Sequence, residues 1–208
     1  MDTATIARLL RPFAELGPEQ LDQTSIYINL LLKWNAKVNL TAVHDPEEIV
    51  TRHFGESFFA ARRLMSPVGR ETVIDLGSGA GFPGLPLAMF APAAQMTLIE
   101  SNGKKAAFLN EVIFALKLKN AKVFAQRAET YPDAADLVTM RAVEKFEKSL
   151  PLAIGLAREG GRLALMIGAT QVDLVKTLAG EMKWQDIVSV PGSHSRVILL
   201  GTRPVIVE

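Results

Sequence analysis

The stretch Thr72-Val73-Ile74-Asp75-Leu76-Gly77-Ser78-Gly79-Ala80-Gly81-Phe82-Pro83-Gly84 decides the fold of this chain. Its β-branched opening suits a buried strand. The glycines at alternate positions let the backbone turn sharply and approach a ligand where a Cβ would collide. Leu85, Leu87, Ala88 and Met89 then resume an apolar pattern suited to a helix, whose first amides would face whatever sits on the loop. The implied unit is strand, glycine loop, helix: a nucleotide-cofactor loop.

Two cofactor classes compete for it. Gly79, Gly81 and Gly84 have the dinucleotide spacing G-x-G-x-x-G, and Glu100 ends the next apolar run, Met96-Thr97-Leu98-Ile99, where a ribose-binding acid is wanted. The fuller pattern, Asp75-x-Gly77-x-Gly79-x-Gly81, resembles the S-adenosylmethionine loop of the Rossmann-like methyltransferases. That cofactor carries an ammonium as well as a carboxylate, so an acid beside the amides is useful there and would repel a pyrophosphate. Pro83 also has no amide to give a pyrophosphate. The local chemistry therefore favours S-adenosylmethionine, with a nicotinamide-dependent oxidoreductase as the rival reading.

Bulk properties narrow the class. The 208 residues suffice for one α/β core with a small appendage. Hydrophobic content of 49% with 22% charged residues suits a soluble globular protein. No apolar run reaches membrane-spanning length, and Met1-Asp2-Thr3 shows no basic region ahead of an apolar stretch, so a cytoplasmic enzyme is expected. With no cysteine there is no disulfide, thiolate metal site or cysteine nucleophile, and His44, His53 and His194 have no metal-ligand spacing. The formal charge of +1 is not that of a dedicated phosphate binder; basic residues cluster only locally, at Arg62-Arg63, Lys104-Lys105 and Lys117, Lys119 and Lys122.

Periodicity predicts helices over residues 5–16, 20–34 and 46–65, the last opened by Asp45-Pro46-Glu47-Glu48. Residues 1–68 thus form a helical amino-terminal extension, and residues 69–208 the cofactor-binding domain. There, strands are expected at 72–74, 96–99, 122–125, 136–140 and 162–167, with helices at 104–116 and at 150–158, the latter stopped by Gly160-Gly161. Residues 187–190 and 197–201 read as a terminal strand pair. Alternating strands and helices argue an α/β fold, Rossmann-like, with a mostly parallel sheet and a terminal antiparallel hairpin.

In a doubly wound sheet the ligand lies beyond the carboxyl ends of the strands. The glycine loop, Glu100, Arg127-Ala128-Glu129 and Arg141 should meet there. Glu100 would accept the ribose hydroxyls, or cap the following helix. Ala128 and Glu129 would edge an adenine. Arg127 and Arg141 would face the cofactor carboxylate or a substrate phosphate, or else pair with Glu129 or Glu144. His53 is read as a packed or capping residue, with a substrate-side role as the alternative. Asn35 and Asn39 are expected to tie the second helix to the following loop and to border a substrate pocket. Trp34 should be core.

Trp34-Asn35-x-x-x-Asn39-Leu40-Thr41, Arg52-His53, the glycine loop extended through Phe82-Pro83-Gly84-Leu85-Pro86, and Arg141-Ala142 together resemble the glucose-inhibited division protein B family, over residues 20–200. The resemblance implies a bacterial, cytoplasmic class I methyltransferase that methylates ring nitrogen 7 of one guanine in 16S ribosomal RNA. It implies small-subunit ribosomal RNA or an assembly intermediate as partner; no membrane or metal partner is expected, and the protein is expected to be a monomer. It assigns cofactor contacts to Gly77, Phe82, Ala128, Glu129 and Arg141, to which the loop reading adds Asp75, Gly79, Gly81 and Glu100. Candidate RNA contacts are Asn39, His53, Arg127 and Arg196; Arg141 and Arg196 are the positioning candidates. Guanine nitrogen 7 has a free lone pair, so attack on a sulfonium methyl needs positioning rather than a base. The absence of cysteine argues against pyrimidine carbon-5 methylation, and Met140-Arg141-Ala142-Val143 lacks the Asn/Asp-Pro-Pro-aromatic loop of exocyclic amine methylation. A non-catalytic RNA-binding or assembly protein that retains a cofactor pocket is the further alternative. Two departures stand out: Phe54-Gly55-Glu56-Ser57 replaces the usual Leu-Asp-Ser, and Ile167 replaces a lysine before Gly168.

Overall fold

A computed structural model describes residues 1–141 and 146–205. Among these, the strands form one sheet in the order β3-β2-β1-β4-β5-β8-β6. They are β1 (Thr72–Leu76), β2 (Gln95–Ile99), β3 (Ala121–Phe124), β4 (Ala135–Arg141), β5 (Ala157–Gly168), β6 (Lys183–Trp184), β7 (Val188–Ser189) and β8 (Arg196–Thr202). Strands β1 to β5 pair in parallel, and β8 runs antiparallel to β5, β6 and β7. The expected terminal pair is β7 with β8, and β6 adds a strand not read from the sequence.

Alternation along the central strands builds two apolar layers. Val73, Leu98, Leu137, Ala164 and Met166 face one cluster. Ile74, Ile99, Val138, Leu165 and Ile167 face the other. The second layer is covered by α7 (Phe146–Leu156) and α8 (Val172–Leu178). The first lies under α5 (Gly84–Phe90) and α6 (Gly103–Ala115), together with α1 (Thr3–Leu10), α2 (Pro18–Asn35), α3 (Pro46–Ile49) and α4 (Glu56–Leu64). Ile6, Tyr27, Ile28, Leu31, Phe54 and Phe58 are fully buried in the same cluster as Leu85, Leu98 and Phe108. The helical extension thus shares its core with the sheet.

Three boundaries differ from expectation. Helix α1 stops at Leu10, and Phe13 and Ala14 pack after a turn, with their amides donating to the Leu10 carbonyl. The helix opened by Asp45, whose carboxylate accepts from the Glu48 amide at 2.8 Å, widens into a π-helical turn over Val50–Gly55 before continuing as α4. Such turns concentrate at functional sites. Finally, α7 ends at Leu156 and the chain enters β5 at once, so Gly160-Gly161 lies inside a strand rather than stopping a helix. The cap comes from far away: Arg203 Nη1 donates to the carbonyls of Ala157 (2.7 Å), Gly155 (3.3 Å) and Ile154 (3.4 Å).

Candidate active site

The glycine loop leaves β1 with Gly77, Gly79 and Gly81 at φ of 68°, 56° and 89°, the left-handed region that disfavours side chains. At Gly81 the reason is also steric, since a Cβ would meet the Tyr27 hydroxyl and Leu85. The loop is fastened to β2: the amides of Gly77 and Ser78 donate to the Ile99 carbonyl at 3.0 and 3.1 Å, and that of Gly79 donates to Glu100 Oε2 at 2.9 Å. These amides turn inward, and so do the first amides of α5, which corrects the expectation that they face a ligand: that of Gly84 donates to Asp75 Oδ2 at 3.2 Å and that of Leu85 to the Gly81 carbonyl at 2.9 Å. Above Gly79 a Cβ would meet only the Gly77 carbonyl, at 3.8 Å.

Asp75 and Glu100, the two acids of the loop, are both buried. Asp75 accepts from Thr139 Oγ1 at 2.7 Å and from the Gly84 amide at 3.2 Å, so it joins β4 to the start of α5 beneath the loop. Burial pushes its carboxyl up to about 6, against these hydrogen bonds. Glu100 Oε1 accepts from the Asn102 amide at 2.7 Å, the residue that caps α6. Glu100 thus binds loop and helix together, and each of its oxygens retains a second acceptor position.

Phe82 is held in an aromatic stack. Tyr27 lies parallel to it, with centroids 5.3 Å apart and planes at 1°, and His53 lies on it at 5.0 Å and 26°. Phe54 meets its edge at 5.0 Å. Tyr27 Oη donates to the Ala80 carbonyl at 2.5 Å, so α2 grips the loop directly.

At the carboxyl end of β4, Arg141 reaches the π-helical turn. Its Nη2 donates to the Arg52 carbonyl at 2.8 Å, lies 3.2 Å from His53 Nδ1, and is 3.3 Å from Glu56 Oε2. A guanidinium only donates, so His53 Nδ1 is the acceptor and its proton sits on Nε2, which donates to Thr41 Oγ1 at 2.7 Å. Burial, and then the arginines at 141, 52 and 196, lower His53 to about 3. It is a neutral, fully used imidazole. Burial likewise lowers Arg141, with Glu56 opposing. The Arg141 Nη1 atom is buried with no hydrogen-bond partner among the described residues.

Glu56 is the shared counter-ion: its Oε1 forms a close ion pair with Arg196 Nε at 2.6 Å. Burial raises Glu56, and the three arginines act against it. Gly55 beside it is explained by Phe13, whose ring would lie 2.7–2.9 Å from a Cβ there.

Other expected site residues fall variously. Ala128 is buried, opening a short 3-10 turn (Ala128–Thr130) beyond β3, with Glu129 exposed. Arg127 is exposed and makes no ion pair among the described residues; Glu144, the alternative partner for Arg141, lies outside them, as does Ala142. Asn35 ties the loop after α2, accepting from the Leu40 and Thr41 amides and donating to the Thr41 carbonyl. Asn39 takes no part in that tie, being exposed and without a side-chain hydrogen bond among the described residues. Trp34 is half-buried against Phe108 and donates to Glu111 Oε2. Ile167 pairs with Val197 and faces α7 and α8, whereas Arg196 pairs with Gly168 on the other face of the sheet; both line the cleft at the carboxyl end of β5. Sequence reading missed Tyr27, Thr139, Arg52 and Glu56; only the Arg52-His53 motif and the Glu56 departure signalled any of them.

A mostly parallel sheet with a glycine loop after β1, a buried acid after β2 and an antiparallel closing strand defines a class I S-adenosylmethionine-dependent methyltransferase. Solved structures share this fold. A ribosomal protein L11 methylase from Lactobacillus delbrueckii subsp. bulgaricus superposes with a TM-score of 0.64 at 13% identity, covering 79% of this chain and 81% of that one. A SAM-dependent methyltransferase from Aquifex aeolicus does so at 0.63 and 18%, covering 79% and 96%. Sequence comparison is more specific: the family described as rRNA small subunit methyltransferase G matches residues 20–196. A ribosomal RNA small subunit methyltransferase G from Xanthomonas euvesicatoria is 45% identical, covering 83% of both chains, and one from Roseiflexus castenholzii is 36% identical, covering 89% of this chain and 84% of its own. The chain belongs to the rRNA small subunit methyltransferase G family. The nicotinamide reading of the glycine spacing is thereby set aside.

Proposed function

We propose that this protein methylates ring nitrogen 7 of a guanine in 16S ribosomal RNA, as a cytoplasmic monomer acting on the RNA or an assembly intermediate. When bound, S-adenosylmethionine supplies an electrophilic methyl on a sulfonium centre. The chain fits that cofactor: Gly79 leaves open space beside the Gly77 carbonyl, suited to the ammonium, and Arg141 Nη1 is a buried donor without a partner, suited to the carboxylate. Glu100 would take the ribose hydroxyls through its remaining acceptor positions, with Phe82, Gly81, Ala128 and Glu129 edging the rest. Asp75 would serve from below, by fixing the loop. Arg196, His53, Asn39 and Arg127 are the RNA-side candidates, His53 acting by orienting Arg141.

One observation carries the choice of nitrogen 7. Among the described residues in contact with Arg141, and at Asp75 beneath the loop, no group stands ready to take a proton. His53 has both ring nitrogens engaged and is lowered to about 3, Glu56 is ion-paired to two guanidiniums, and Asp75 lies under the loop. An acceptor with a free lone pair needs only placement. The test is transfer of labelled methyl to small-subunit ribosomal RNA, naked and as subunits, with the nucleoside identified by chromatography. Labelled 7-methylguanosine is expected. A different methylated nucleoside overturns the choice of atom; no transfer despite cofactor binding supports the non-catalytic alternative.

A further inference from the structure

Two clefts flank the buried Glu56. The first, of about 230 Å³, lies at the carboxyl ends of β4 and β5, bordered by Arg141, Phe146 and Gly168. The second, of about 490 Å³, lies between α1 and the Pro191-Gly192 turn, floored by Leu9, Pro12 and Phe13, with Arg8 on its rim. They share one wall, made of Arg52, Glu56 and Arg196. The geometry points to a path for the RNA strand: the target guanine in the first cleft, its phosphate on the Arg52–Arg196 wall, and the adjacent nucleotide in the second cleft. This rests on the proposed methylation of ribosomal RNA and adds a specificity subsite to it.

The wall is built to meet an anion. Arg52 is tethered through Nη1 to Glu48 at 2.6 Å. Its Nε is nonetheless buried without a hydrogen-bond partner among the described residues, while Arg196 Nε is held against Glu56 at 2.6 Å. A buried donor left unsatisfied is costly, and a phosphate satisfies it. Three guanidiniums share two carboxylates, the buried Glu56 and the half-exposed Glu48, which leaves the wall positive. The first cleft is too small for more than the target nucleotide, so the strand must continue over a rim. The second cleft offers an apolar floor for a base and, at its rim, Arg8, whose exposed contact with Glu47 at 3.8 Å leaves it available. Helix α1, which supplies Arg8 and Leu9 to this cleft, precedes residue 20, where the family match begins.

The experiment uses the full chain with a benzophenone amino acid at Pro12 and, separately, Arg8→Glu. Photocrosslinking to small-subunit ribosomal RNA, naked and as subunits, is mapped by reverse-transcription stops beside the methylated guanine. Crosslinks within two nucleotides of that guanine are expected. Arg8→Glu should raise KM for the RNA about tenfold and flatten the logarithmic salt dependence of binding by about 0.7, the loss falling on RNA and not on S-adenosylmethionine affinity. Crosslinks only to distant RNA, crosslinks only to a ribosomal protein, or an Arg8→Glu enzyme with the parent's KM would overturn the subsite while the methylation reading stands. Failure of the unsubstituted protein to form 7-methylguanosine would overturn both.

Discussion

His53 connects three segments through one ring: Thr41 at Nε2, Arg141 at Nδ1 and Phe82 on its face. Its free value of 6.5 is lowered to about 3 on folding, so between those limits the unfolded chain binds a proton that the folded chain does not. Stability contributed by the neutral imidazole is therefore present above about pH 6.5 and is lost as pH falls, by about 1.4 kcal/mol per unit. Asp75, raised from 3.8 to about 6, runs the other way over most of that window, because its folded form holds the proton. Comparing the parent with His53→Gln by urea denaturation at pH 7, 6 and 5 cancels the Asp75 contribution. The parent's advantage should shrink by about 0.7 kcal/mol from pH 7 to 6 and by about 1.2 kcal/mol from pH 6 to 5; an advantage independent of pH would show that His53 titrates normally. Glu100 needs a different readout. Glu100→Ala removes the acceptor for two backbone amides that hold the loop to α6. It should weaken S-adenosylmethionine binding at least tenfold by calorimetry while RNA binding largely persists; the reverse pattern would refute the cofactor role.

At the scale of elements, the π-helical turn is where sequence and structure part most informatively. Capping by Asp45 and the register of apolar residues after it were legible, because both are local. The widened turn was not, because its cause lies outside the segment: Phe13 occupies the space where a residue-55 side chain would go, and Arg141 donates to the Arg52 carbonyl. The end of α7 failed for the same reason, since Arg203 supplies a cap that the Gly160-Gly161 signal concealed. Likewise the loop glycines and Glu100 were found from spacing, whereas the roles of Glu56 and Tyr27 arise from contacts between segments far apart in the chain. The Phe13 account is testable by a double-mutant cycle. Gly55→Ala should destabilise by about 1–3 kcal/mol through overpacking against the ring. Phe13→Leu costs stability alone, yet in combination it should recover much of the Gly55→Ala loss. Additive effects would mean the glycine is required for the turn itself.

Taken whole, the molecule places its first 68 residues where they cannot be indifferent to the cofactor loop. Tyr27 stacks on Phe82 and bonds the Ala80 carbonyl, Gln20 donates to the Met89 carbonyl, Gln23 to that of Leu116, and Trp34 to Glu111. A continuous apolar cluster joins these helices to β1, β2 and β4, so neither part retains its core without the other. The chain's two tryptophans report on the two regions: Trp34 in α2 and Trp184 in β6, where it donates to the Ala179 carbonyl. Two single-tryptophan proteins, Trp34→Phe and Trp184→Phe, each followed by fluorescence and by far-ultraviolet circular dichroism in urea, should show coincident transitions for both probes within each variant. A Trp34 signal lost ahead of the circular dichroism would instead reveal helices that dissociate while the sheet persists, and the loop would then depend on α2 for affinity rather than for folding. Tyr27→Phe separates these cases. Where folding is one unit, losing the hydroxyl costs about 1–3 kcal/mol, since the buried Ala80 carbonyl loses its donor, and S-adenosylmethionine affinity falls only in so far as the loop loosens. Where α2 acts as a clamp, global stability holds and affinity carries the loss.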